Sequence, residues 1–96
     1  MLEARYVWDE AKNRSNQKKH GISFEEGTLA FRDPLRVTIQ DRIENSEIRW
    51  QTFGMARGVL LLMVVHTSDD WESLVRIISV RRVSKIERRI YENQNG

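Results

Sequence analysis

At 96 residues the chain has room for one domain with one small core, because chains split into separate cores only at much greater length. Its composition, 40% hydrophobic and 31% charged with one Pro and five Gly, excludes a disordered or fibrous chain, and the lack of cysteine excludes disulfide frameworks, zinc fingers and CxxC redox centres. The net charge of +2 hides a segregation: residues 1–20 carry five Lys or Arg against three acids, residues 21–75 five against nine, and residues 76–96 six against two. A fold that joins the two basic ends makes a positive patch suited to phosphate, and with twelve of the sixteen cations being Arg it offers planar, bidentate donors.

The first predicted element is a strand over 4–8, a short apolar run with two aromatics. Asp9 then reads as the N-cap of a helix over Glu10–His20, with Glu10 in its first turn and Lys18, Lys19 and His20 crowding its end before Gly21, as the helix dipole favours. Ser23 and Glu26 form a Ser-x-x-Glu capping box opening a second helix, which places Phe24, Thr28 and Phe31 on one face and stops at Pro34. From Leu35 the hydrophobic period becomes two: a strand over 35–40, a polar loop over 41–46, and a strand through Ile48, Trp50 and Thr52 to a turn at 54–58. The most apolar segment, 59–67, reads as a buried central strand, and 74–81 as the last strand. Ser84 and Glu87 make a second capping box, and Val83, Ile86 and Ile90 give the third helix an apolar face.

The order β-α-α-β-β-β-β-α implies an α+β fold, a curved antiparallel sheet of four to five strands in a single domain over 1–96. With the helices on one face, the core is expected to hold Phe24, Phe31, Val37, Ile39, Trp50, Leu61, Met63, Val65, Ile78, Ile86 and Ile90, leaving the other face free for a site. The first twenty residues lack an apolar signal region and the longest apolar run is far short of the ~20 residues of a membrane helix. A cytoplasmic protein without a membrane anchor is expected.

The first helix is anomalous. Between Asp9 and His20 its one apolar residue is Ala11, so it lacks the stripe that docks a helix. Lys12, Asn16 and His20 recur at i, i+4 and i+8 and form one ridge, which reads either as a site or as the solvated face of a helix whose His20 neutralises terminal carbonyls. Histidines and many arginines without a metal-ligand cluster suit cleavage of RNA, which carries its own nucleophile: a base deprotonates the 2′-OH, cations stabilise the phosphorane charge, and an acid protonates the leaving oxygen. His20 or His66 can move the protons, and Lys12, Arg57, Arg76, Arg81 or Arg82 can hold the phosphate, although His66 at the end of the central strand also reads as a structural residue. HExxH, GxxxxGK and GxSxG motifs are absent, and the pairs Glu25-Glu26 and Asp69-Asp70 sit at adjacent positions that diverge on a regular element. Tyr91 reads as a core-edge residue or as a phenol reaching the sheet, and Trp71, between two acids in a loop, as a partner contact.

The run Trp8-Asp9-Glu10-Ala11-Lys12, then Asn16, then Lys19-His20-Gly21-Ile22-Ser23-Phe24-Glu25-Glu26, Phe31 and Asp33-Pro34-Leu35, resembles the opening of the BrnT toxins of bacterial type II toxin-antitoxin systems. Arg49-Trp50, Gly54, Leu61-Leu62, Val64-Val65-His66-Thr67, Arg76-Ile77-Ile78-Ser79, Arg81, Glu87-Arg88 and Tyr91 follow in the same order, so the resemblance spans nearly the whole chain. It implies a RelE-like fold, metal-independent endoribonuclease activity that inhibits translation, no cofactor, and a BrnA-like ribbon-helix-helix antitoxin that neutralises the toxin and carries it to operator DNA. The family's polar positions fall on Lys12, Asn16, His20, Arg49, His66, Arg81 and Tyr91. Lys12, His20, Arg57, Arg81 and Tyr91 are the resulting candidates for chemistry, and Asn16, Arg49, His66, Arg76 and Arg82 for holding RNA. Gly27 and Val80 depart from the pattern, each standing where Ala is usual, and glycine costs a helix up to ~1 kcal/mol. The alternative is a non-catalytic module that binds RNA or a partner as one subunit of a repressor complex.

Overall fold

The computed structural model describes residues 4–69, 71 and 73–95. Its elements are β1 (Arg5–Val7), α1 (Glu10–His20), α2 (Phe24–Gly27), a 3-10 helix (Thr28–Arg32), β2 (Val37–Glu44), β3 (Glu47–Ala56), β4 (Leu60–Ser68), β5 (Leu74–Arg82) and α3 (Lys85–Asn95). The sheet order is β1-β5-β4-β3-β2, with β2 to β5 an antiparallel meander. The edge strand β1 pairs in parallel with β5, so the sheet is mixed.

Capping sets the helix starts. The Asp9 carboxylate accepts from the Ala11 and Lys12 amides, and Gly21, at φ 73°, closes α1 by donating to Gln17. At α3 the capping box is reciprocal: the Glu87 amide donates to Ser84 Oγ at 3.2 Å and the Ser84 amide to Glu87 Oε1 at 2.8 Å. The second helix differs from expectation. After four residues it tightens into the 3-10 turn and then extends at Asp33, the residue before Pro34, where proline disfavours the helical region. The 3-10 turn lies directly on β3, where Gly54 leaves space that a Cβ would take from the Ala30 carbonyl.

Two further expectations are corrected. Residues 41–44 continue β2, and the loop contracts to Asn45 and Ser46, both at positive φ (53° and 63°), the mirror-image turn that suits a tight hairpin. The helices also do not share one face. Alternate residues of β4 enter separate cores: Leu62 and Val64 pack with Phe24, Ala30, Ile77 and Val80 beneath α1 and α2, whereas Leu61, Met63 and Val65 pack with Phe53 and Tyr91 beneath α3. A bulge between Val65 and His66 makes Ile78 the extra residue of β5, so Ile77 is buried in the first core while Ile78 packs, half-buried, against the second, and Ile86 is 73% exposed on α3.

The missing apolar stripe of α1 has a polar substitute. Asn16 Nδ2 donates to the carbonyls of Ile22 and Val80 (2.9 and 2.8 Å), and its Oδ1 accepts the Val80 amide at 3.1 Å. Asn13, fully buried, accepts the Phe24 amide at 2.9 Å and donates to Glu10 and Glu25. The first helix is thus docked on the last strand by satisfied amides, each bond contributing about 1 kcal/mol.

The two departures from the BrnT pattern face each other: a Cβ built on Gly27 would stand 2.6 Å from Val80 Cγ2. The larger residue at 80 requires the smaller one at 27, so the glycine compensates for Val80 and is not a free loss of helix propensity. Gly27→Ala, which favours a helix by up to ~1 kcal/mol on propensity, should instead destabilise by about 1 kcal/mol or more through overpacking. In a Val80→Ala background the same change should stabilise. Urea denaturation of the double-mutant cycle measures both signs, and a destabilising Gly27→Ala in both backgrounds would contradict the contact.

Candidate nucleic-acid interface

An antiparallel meander delivers alternate connections to opposite ends of the sheet. One end receives the β2–β3 turn and the β4–β5 loop, hence Glu44, Glu47 and Asp69. The other receives the approach to β2, the β3–β4 turn and the exit from β5, hence Arg32, Arg36, Arg57, Arg82 and Lys85. The acidic middle of the sequence is therefore divided by topology, with Glu44, Glu47 and Asp69 at one end and Arg32, Arg36 and Arg57 at the other, beside Glu26 and Asp33.

At the acidic end the cations are engaged. Arg76 bonds Glu47 at 2.6 Å, and Arg49, with its side chain only 16% exposed, bonds Glu44 at 2.9 Å. At the basic end, among the described residues, the one ion pair made by these five cations is Arg57 to Glu26, long at 3.9 Å. The Val59 amide closes the β3–β4 turn on the Ala56 carbonyl, with Arg57 and Gly58 both at positive φ (56° and 73°). A left-handed arginine costs about 1–2 kcal/mol, where Asn or Gly suits the turn better, and such strain gathers at functional sites.

Beside this turn is a hollow of about 350 Å³ lined by Leu29, Arg32, Asp33, Pro34, Met55, Arg57 and Gly58. Its floor is rigid. Asp33 Oδ1 accepts the Leu35 amide at 2.8 Å, and Oδ2 accepts the Met55 amide at 2.8 Å and the Tyr91 hydroxyl at 2.6 Å. Burial works to raise the Asp33 carboxyl, but the bonds from Tyr91, Met55 and Leu35, with Arg36 nearby, outweigh it and hold the group below the usual carboxylate range. Burial and the bond to Asp33 in turn push the Tyr91 phenol up to about 12. Among the described residues no group of three His, Cys, Asp or Glu is placed to hold a metal ion, and no helix is long and apolar enough to cross a membrane.

A family model described as ribonuclease toxin, BrnT, of type II toxin-antitoxin system matches residues 8–87. The chain belongs to the BrnT toxin family. It is a ribonuclease toxin of a type II toxin-antitoxin system. The crystal structure of the Brucella abortus ribonuclease toxin BrnT superposes with a TM-score of 0.59 over 88% of this chain and 100% of that one, at 20% identity, which shows a shared fold. No curated protein matches the sequence.

Within this BrnT-family chain the ten candidate residues do not form one cluster. Asn16 and Tyr91 face inward in the bonds described above. His66 is also buried: its Nε2 pairs with Thr52 Oγ1 at 2.7 Å, Thr52 pairs with Thr38 at 2.8 Å, and its ring meets Phe31 edge-on at 4.9 Å. Burial drives its imidazole down to about 4, opposed in part by a backbone contact at Thr67. Arg81 makes two 2.7 Å bonds to Glu87, whose carboxyl they hold down at about 2, so this arginine fastens α3. Arg82, next in β5, pairs opposite Leu62 and shares the sheet face on which α1 docks. Lys12 is exposed and His20 half-buried, each one helical turn from Asn16.

Sequence reasoning passed over Asn13, Asp33, Arg32 and Arg36. An Asn at i and i+3 in a helix without apolar residues was the available signal for the first. Nothing in the spacing of the others announces that the sheet brings them together. Trp71, expected as a partner contact, is 87% exposed.

His66 contributes the first part of the acid side of the stability profile, above the range of the carboxylates. Its folded value of about 4 lies below the unfolded value of 6.5, so the unfolded chain binds the extra proton and stability is complete above pH 6.5 and falls as pH drops toward 4. The loss between pH 6.5 and 5 should be about 1.5 kcal/mol, above the range near 4.5 where Glu87 of the unfolded chain takes up its proton. His66→Gln, which keeps a partner for Thr52, should flatten this part of the profile in urea titrations. An unchanged slope would mean that another group is responsible.

Proposed function

We propose that this chain cuts RNA at the basic end of its sheet by attack of the substrate's own 2′-OH, with no metal ion or cofactor. One observation carries the reading: cations from three separate segments, Arg32 with Arg36, Arg57, and Arg82 with Lys85, are delivered to one end with a single long ion pair among the described residues. Such a surface attracts a phosphate backbone and favours the extra negative charge of a pentavalent phosphorane. Arg57 and Arg82 hold the non-bridging oxygens, and Lys12 and His20, one helical turn to either side of Asn16 on α1, are the candidates for a further phosphate contact and for proton transfer. The 2′ oxygen bonds to phosphorus as its proton leaves, the bond to the 5′ oxygen breaks, and that oxygen is protonated. The products are a 2′,3′-cyclic phosphate and a 5′-hydroxyl. Arg81 contributes by fixing α3 and, through it, the Tyr91 bond to Asp33.

The reading extends to the cell as the resemblance implies: a RelE-like cytoplasmic toxin inhibiting translation, covered by a BrnA-like ribbon-helix-helix antitoxin and reaching operator DNA only through it. A second reading, a non-catalytic RNA- or partner-binding module, is favoured by the fact that Asn16, His66, Arg81 and Tyr91 are all occupied in holding the fold.

Purified antitoxin-free chain incubated with a long RNA in excess EDTA should leave 2′,3′-cyclic phosphate ends, and DNA of the same sequence should stay whole. His20→Ala should slow cleavage by about 100-fold. Arg57→Asn should slow it by at least tenfold while raising stability by about 0.5–1 kcal/mol, because Asn suits the left-handed position. A chain that binds RNA without turnover would establish the binding module in place of the nuclease.

A further inference from the structure

The hollow beside Arg57 combines an apolar wall with a carboxylate, that of Asp33, in its lining. We infer that it receives one unstacked nucleobase of a single-stranded RNA, an inference that rests on the ribonuclease reading and adds the subsite that positions its substrate. Its volume of about 350 Å³ falls in the range of small-ligand sites. Leu29, Pro34 and Met55 supply flat apolar contact for a base face, and Arg32 and Arg57 at the rim supply guanidinium planes that stack on a base and donors that meet the flanking phosphates.

The floor adds selectivity. A carboxylate accepts about four hydrogen bonds, and Asp33 uses three of them on Leu35, Met55 and Tyr91. The remaining lone pair is on Oδ1, fixed in position and able only to accept. It therefore favours a base that presents an amino group, as adenine, cytosine and guanine do. Uracil offers a single N–H between two carbonyl oxygens, which a carboxylate repels. The strained backbone at Arg57 is consistent with a side chain held where the ligand needs it.

The test reads the hollow directly and does not depend on cleavage. Chain carrying carbon-13 in its methionine methyl groups is titrated with the four nucleoside 5′-monophosphates and with ribose 5-phosphate as the base-free control. Met55 lines the hollow, and Met63, buried in the core beneath α3, reports any general change in the fold. Amino-bearing nucleotides should move the Met55 methyl signal saturably and leave Met63 in place. Ribose 5-phosphate should bind at least about tenfold more weakly, the base contributing a stacking interaction, with uridine monophosphate between the two. Arg57→Asn should weaken binding while both methyl signals stay at their folded positions.

Equal affinity for ribose 5-phosphate, or nucleotide binding that leaves Met55 unmoved, overturns the inference. Cleavage of RNA combined with a silent Met55 removes the base subsite and leaves the nuclease. Saturable shifts at Met55 in a chain that never cuts RNA keep the subsite and remove the catalytic reading.

Discussion

The charge distribution of this molecule depends on a constraint of connectivity: four consecutive antiparallel strands joined by short connections must send those connections alternately to opposite ends of the sheet. A sequence whose middle is acidic overall becomes a molecule with an acidic end and a basic end. At the acidic end Arg49 and Arg76 are held by Glu44 and Glu47, so they spend their charge within the fold. At the basic end Arg81 is taken by Glu87 and Arg36 donates to the Asp33 carbonyl at 3.2 Å, while Arg57 has a 3.9 Å contact with Glu26 and Arg32 and Arg82 make no ion pair among the described residues. Net charge alone, at +2, conveys none of this.

Three buried polar ties make that arrangement rigid. Asn16 joins the first helix to the last strand, 64 residues away, with three bonds, and Asn13 joins the same helix to the start of α2. Asp33 joins the corner before β2 to β3 and to α3. In each case a buried polar group has its partners, which offsets its desolvation and makes the geometry specific in a way that apolar contact does not. The Asp33 tie also ends at the hollow beside Arg57, so the residues that organise the fold at this end are the ones beneath the proposed site.

Much of the fold was legible because local signals act locally. Asp9 and Gly21 bound α1 as expected, and both Ser-x-x-Glu pairs mark helix starts. What escaped depends on distant partners. The extra residue Ile78 changes the phase of β5 through its pairing with β4, and α3 is held on the second sheet face by partners distant in sequence, among them Asp33 to Tyr91. The tight 3-10 turn follows from the close approach of Ala30 to Gly54. The candidate site was legible in type and not in place: arginines and a surface histidine were expected, but residue spacing did not separate Arg57 and Arg82 from Arg49 and Arg76, which face opposite ends. The family pattern located Asn16, His66 and Tyr91, whose observed bonds give them a role in architecture.

The claim that RNA meets the basic end is tested most directly by mapping where a non-cleavable RNA lies. A nitrogen-15-labelled chain titrated with a short 2′-O-methyl RNA, whose blocked hydroxyl cannot attack, reports each backbone amide in turn. Saturable shifts are expected, concentrated in 32–37, 56–60 and 82–85 and weakening steeply with salt, with silence at 44–47. Shifts centred on 44–47 and Arg76 would place the RNA at the acidic end and contradict the claim.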